Sequence, residues 1–221
     1  MNTPLPSESE QALPDNPSKR RRGRPAGRTT ADGVIADRSR LLAAAEARIR
    51  ADGPTVSLQS IAATAGVTKP TPYREVGDRD ALVNALAARL ALRMQTAVSD
   101  LVAGASDPRE GLRNLVAGYL TLAAKDRELY LFVTAGPGQD RVQQSLLLAD
   151  GAAQQFALPI AEYRATHGAD ASVAQVWSYG LLGALHFVTL WWLRDQSADL
   201  DVVTDQISML LWSGMQIEPK P

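Results

Sequence analysis

The chain of 221 residues contains no cysteine and only two histidines, His167 and His186. The first absence excludes disulfides and thiolate chemistry and removes the most specific ligands for zinc and iron–sulfur centres. With so few imidazoles, no transition-metal site is expected and no cofactor is implied. A glycine-rich phosphate loop is missing, and neither histidine stands in the sequence context of a catalytic triad, so an enzyme is not the expected class and no catalytic residue is assigned. The first 18 residues are polar and proline-rich, without the apolar core a signal peptide needs, and residence in the cytoplasm is expected. No segment sustains a period-two alternation of apolar and polar residues, which leaves an all-α fold.

Charge is scarce in sum but not in distribution. The net charge is −1, yet Lys19, Arg20, Arg21, Arg22, Arg24 and Arg28 fall within ten residues that hold no acid, and removing these six cations leaves the remainder at −7. A basic arm on an acidic body is the result. Residues 1–33 also carry Pro4, Pro6, Pro14, Pro17 and Pro25, a composition too poor in apolar surface to offset its ordering entropy, so this arm is expected to be disordered on its own.

From about Ile35 the pattern turns helical. Leu41, Leu42, Ala45 and Ile49 line one face, and Gly53-Pro54 ends the run. Ser57 is the expected N-cap of a second, short helix with Leu58, Ile61, Ala62 and Ala65 buried, and Gly66 stands where a helix stops in the left-handed conformation. Thr68 opens a third helix through Tyr73, and after Gly77, Asp78 or Asp80 starts a fourth through Leu101. Apolar helical stretches follow at 109–124, 126–135, 139–166, 171–195 and 199–216, about nine helices in all.

The run Ile61-Ala62-x-x-Ala65-Gly66-Val67-Thr68-Lys69-x-Thr71-x-Tyr73, followed by Asp78-Arg79-Asp80-Ala81-Leu82, supplies what a helix-turn-helix needs: a small residue at the crossing, a reversing glycine, an apolar seat and a polar first turn on the reading helix. It resembles the tetracycline-repressor (TetR) family of regulators over residues 38–83. The resemblance implies a three-helix DNA-binding domain at 34–80, a larger ligand-binding and dimerisation domain at 81–217 and a short tail at 218–221. It further implies a homodimer on double-stranded DNA; a DNA-reading head joined through the helix 80–101 to a large apolar body points to a repressor released from its operator by a small, mainly apolar effector. By position, Thr68 and Tyr73 match phosphate contacts, Lys69 and Thr71 match sites near base edges or backbone, Arg79 matches a cation beside phosphate, and Ser57 and Gln59 add backbone contacts. Two departures stand out: Pro70 and Pro72 lie within the reading helix, and Val76 replaces a more usual aromatic. Pro72 lacks the N–H that would bond the Thr68 carbonyl and should tighten the helix.

Arg22-Gly23-Arg24-Pro25 resembles the core of an AT-hook, which lays two arginines into a narrow A·T minor groove. A non-specific polycation of Arg20, Arg21, Arg22, Arg24 and Arg28, acting by counterion release, is the other reading.

The segment 171–193 holds no Asp, Glu, Lys or Arg and is long enough to span a bilayer, but Gln175, Ser178, His186 and Thr189 interrupt it, and a buried helix is expected with no membrane partner. Gly180, Gly183, Phe187 and Trp191 share one sector and, with Leu211 and Trp212 of the last helix, are expected at the dimer interface. Tyr179 and His186 share another face and, with Tyr119, Phe156 and Trp177, are the expected pocket residues, although His186 also reads as a core histidine with a buried partner. The rival to a regulator is a helical interaction or membrane-associated protein without specific DNA binding.

Overall fold

The computed structural model describes residues 31–53, 56–66, 77–134, 139–195 and 198–215, the side chains of 31–37 and 139–149 excepted. Among these residues there are eight α-helices and no strand: α1 (Ala31–Asp52), α2 (Leu58–Thr64), α3 (Arg79–Ala103), α4 (Pro108–Lys125), α5 (Arg127–Thr134), α6 (Gln139–Thr166), α7 (Ala174–Asp195, led in by a 3₁₀ turn at Ala171–Val173) and α8 (Leu200–Gly214). The basic arm, the reading helix 68–73 and the tail lie outside the described residues. Helix α1 starts at Ala31, inside the span expected to be arm; Gly33 costs a helix only about 1 kcal/mol relative to alanine, which extension of a long helix tolerates.

Short polar side chains set the helix starts. Ser57, Asp78, Asp107 and Asp199 stand at the N-caps of α2, α3, α4 and α8, and each accepts a hydrogen bond from a backbone N–H that would otherwise be orphaned in the first turn. Asp107 is followed by Pro108, whose fixed φ suits the first helical position, and Glu110 Oε2 accepts from the N–H of Ser106, the residue before the cap, at 2.7 Å.

Helix α3 is the spine. Its buried face (Leu82, Val83, Leu86, Leu90, Met94, Val98) meets α1 at one end and α4 along the other, and one continuous apolar core runs from Leu41 and Ile49 through Leu120 and Leu129 to Leu185 and Ile207. At Gly118 α4 comes close to α3: a Cβ there would lie 2.6 Å from Leu101 Cδ1, and the half-exposed leucine would have to turn aside. Helix α6 runs along α7, and α8 closes the body against α4.

The short α5 touches both ends of the molecule, and a charge cluster fastens it to α1. Glu46 is 4% exposed. Its Oε2 accepts from Arg93 Nη1 at 2.8 Å and from Arg50 Nη2 at 3.2 Å, while Oε1 faces Arg89 Nε at 3.4 Å as an ion pair. Arg50 in turn donates from Nε and Nη2 to the two oxygens of Asp126 at 2.8 and 2.6 Å, a two-pronged grip on the residue between α4 and α5. The Asp126 hydrogen bonds are the main reason the Arg50 guanidinium holds its proton more firmly than usual.

Removing Glu46 strands guanidinium groups whose own ends are partly solvated. Glu46→Ala should therefore destabilise by more than the ~1 kcal/mol of an exposed pair and less than the ~3–5 kcal/mol of a fully buried one, as read by urea unfolding. A change under about 0.5 kcal/mol, the range of an ordinary surface substitution, would show that the cluster does not hold the helices together.

Candidate functional site

The helix-turn-helix scaffold is present up to its turn. Ser57 has extended backbone (φ −90°, ψ 151°) and its Oγ accepts from Ser60 N at 3.1 Å. Ile61 and Ala62 are buried at 1% and 2%. Gly66 takes φ +67°, the left-handed conformation that a side chain resists, so α2 ends there at little cost. The scaffold resumes at the Asp78 cap of α3.

The expected DNA contacts divide accordingly. Thr68, Lys69, Thr71 and Tyr73, with the arm residues Arg20, Arg21, Arg22, Arg24 and Arg28, lie outside the described residues. Ser57 and Gln59 are exposed at the start of α2, with the Ser57 hydroxyl engaged in the cap. Arg79 is exposed, yet its Nη1 donates to the Val56 carbonyl at 3.0 Å and its guanidinium sits 5.1 Å from the centre of the Phe132 ring on α5. Its role within the chain is thus to pin the entry of α2 to the body.

Of the residues expected to share a pocket, Tyr119 and His186 are joined through Tyr130, and Tyr179, Trp177 and Phe156 make contacts elsewhere. Tyr119 on α4 meets Tyr130 on α5 through their hydroxyls at 3.1 Å, with rings edge to face at 6.2 Å, and Tyr130 Oη lies 3.2 Å from His186 Nδ1 on α7. Burial raises the pKa of both tyrosines, Tyr130 the more, and lowers that of His186, so all three are held neutral. His186 is therefore a core histidine with a partner, and Tyr130, which periodicity alone marks only as another aromatic, is the middle of the chain. Tyr179, one face but two turns away, bonds Asp150 on α6. Trp177 lies under the Arg164 guanidinium, 4.1 Å from ring centre to carbon. Phe156 packs half-buried against the core. Two surface grooves, of about 430 and 330 Å³, include none of these five residues.

On the outer face of α7, Phe187 and Trp191 are 72% and 54% exposed, and Gly180 and Gly183 have open space where a Cβ would point. The expectation of a buried helix fails on this side: only 28% of its most apolar window is covered, because α4, α6 and α8 pack on one face alone. Length and composition would allow the helix 171–195 to cross a membrane. Leu211 and Trp212, expected on the outer face, are half-buried against the chain's own core, with Trp212 6.0 Å from Tyr163 between ring centres. The apolar residues that α8 exposes are Val202, Met209 and Leu210. Among the described residues no cluster of acids and histidines is arranged to hold a metal.

No family model matches the chain. An uncharacterized HTH-type transcriptional regulator of Mycobacterium tuberculosis is 27% identical over 173 residues, which cover 76% of this chain and 72% of that protein. Among solved structures, a TetR-family transcriptional regulator from Pectobacterium atrosepticum aligns with TM-score 0.64 and 20% identity, covering 86% of this chain and 100% of that one. FadR from Bacillus subtilis, in complex with stearoyl-CoA, aligns with TM-score 0.64 and 16% identity over 80% of this chain and 99% of that one. The chain has the fold of the TetR-family transcriptional regulators.

His186 makes stability depend on pH in a defined direction. Desolvation depresses its folded pKa below the ordinary value near 6.5, so as pH falls through about 6.5 the unfolded chain takes up the proton first and stability is lost. The thermal midpoint of the wild type should fall more steeply between about pH 7 and pH 5.5 than that of His186→Asn, which keeps a polar partner for Tyr130 but does not titrate. Parallel profiles would place His186 outside this linkage.

Proposed function

We propose that this chain is a dimeric, sequence-specific DNA-binding regulator of transcription, a repressor released from its operator by a small, mainly apolar ligand. The observation that carries the reading is the scaffold at 57–66: a capped short helix with Ile61 and Ala62 buried, ended by a left-handed Gly66 directly before the polar run Thr68-Lys69-x-Thr71-x-Tyr73. The fold shared with TetR-family regulators and the likeness to an HTH-type transcriptional regulator support it. In this reading the residues before α1 are a basic arm, those from α1 to 80 the DNA-binding domain and 81–217 the body. Base edges would be met by Lys69 and Thr71, phosphates by Thr68, Tyr73 and the arm. A cytoplasmic protein without enzymatic activity follows from the same reading.

The exposed apolar strip of α7 and α8 supports a two-fold dimer, since Phe187, Trp191 and Leu210 would leave water on pairing and the glycines would let the helices approach closely. The two reading helices would then enter successive major grooves about 34–36 Å apart. FadR was solved with stearoyl-CoA, which supports an apolar effector for the body. A ligand acts here only through its differential affinity for the conformation in which the reading helices no longer match the groove spacing, a coupling of typically about 1–3 kcal/mol.

A gel shift on the DNA flanking the chain's own gene tests the central reading. Wild type should retard it specifically, and Lys69→Ala or Tyr73→Ala should weaken binding roughly 10- to 100-fold, the worth of about 1–3 kcal/mol per contact. Wild-type binding no better than that of the variants would favour the helical interaction or membrane-associated protein instead. Sedimentation should find wild type as a dimer and Phe187→Asp/Trp191→Asp as a folded monomer; a monomeric wild type would remove the paired reading heads.

A further inference from the structure

We propose that the groove bounded by α1, α3 and the end of α4 binds a small molecule carrying an anionic oxygen headgroup on an apolar body. The groove encloses about 330 Å³, at the lower end of the range for small-ligand sites. Its floor is apolar: Leu90 and Met94, one turn apart on α3, and Leu122 of α4. Its rim is cationic. Arg50 and Arg93 line it and, together with Arg89 behind them, face only two carboxylates, Glu46 and Asp126. Lys125 on the rim adds a fourth cation, and no ion pair of Lys125 exists among the described residues. The site therefore carries two positive charges more than its own acids neutralise, beside the half-buried Leu122 and the edges of Leu90 and Met94.

A headgroup has defined donors to meet. Arg93 Nη2 stands 3.6 Å from Asp126 Oδ2, beyond a good hydrogen bond, and so retains donor capacity toward the groove. The Arg50 fork already holds one carboxylate by two bonds, and a ligand carboxylate or phosphate fits the same geometry. Asp126 is thus the internal competitor of the ligand. An uncharged polar molecule gains nothing from this excess charge, and a small inorganic anion gains nothing from the floor, so the two features together select an amphipathic anion. Seating one loosens Arg50 from Asp126, the contact that ties α1 to the α4–α5 junction.

This site is separate from the Tyr119–Tyr130–His186 chain and does not depend on DNA binding, so it is tested on the DNA-free full chain. Isothermal titration with decanoate and with decyl phosphate, below their micelle concentrations, should give one site per chain for at least one of them, and decanol should bind at least roughly tenfold more weakly. The arm that binds tells carboxylate from phosphate recognition. Lys125→Ala, a surface change that leaves folding intact, should weaken the anion about fivefold. Asp126→Asn should tighten it, because the competitor loses its charge, and His186→Asn should leave it unchanged. Binding of decanol equal to that of both anions overturns the proposal. So do Lys125→Ala and Asp126→Asn titrations that match wild type, or weakening by His186→Asn in place of Lys125→Ala, which moves the ligand to the interior.

Discussion

A carboxylate buried at 4% exposure among three arginines fixes how the two ends of this molecule are joined. Glu46 sits on the helix that braces the helix-turn-helix, Arg89 and Arg93 on the spine α3, and Arg50 carries the charge onward to Asp126 at the start of α5. None of these contacts could persist alone: an unpaired carboxylate at that depth would carry a desolvation penalty of several kcal/mol. With the arginines around Glu46, α1 is held against α3 and the start of α5.

Helix α5 is where that constraint meets the interior. In eight residues, with the capping Asp126 before it, the segment holds Arg50 at its start and offers Phe132 to Arg79. On its inner side it hands Tyr130 to Tyr119 and His186, and Arg127 Nε donates to the Leu193 carbonyl of α7 at 3.0 Å. A shift of α5 by a fraction of an ångström therefore reaches the head by two routes and the polar chain by a third.

How much of this was legible in the sequence follows the range of each interaction. The helix limits from 108 to 214 and the scaffold at 57–66 come from local rules, caps and glycines read within a few residues, and they match the structure closely. The division of α7 into an exposed sector with Phe187 and Trp191 and a buried one with Leu181, Leu185 and Trp192 follows from helical geometry alone. Glu46 was not legible as buried, since only Arg50 is local and its other partners lie on distant helices. Tyr179 and His186 share a face, but seven residues separate them by about 10 Å along the axis, so one meets α6 and the other α5. On α8 a single step, from Leu210 to Leu211, turns a side chain by about 100° from solvent to core, a distinction that only the neighbouring helices decide.

The Arg50–Asp126 bridge has a consequence for any measurement made in varied salt. Its guanidinium is 45% exposed and its carboxylate 17%, so mobile ions screen it in part, over the ~8–10 Å Debye length of ordinary buffers. Ionic strength would then act twice on a complex of this chain with a polyanion: once by counterion release at the contact and once by slackening the brace behind the contact. The logarithmic slope of affinity against salt would be steeper than the number of neutralised phosphates warrants, and counting charges from it would overstate the footprint.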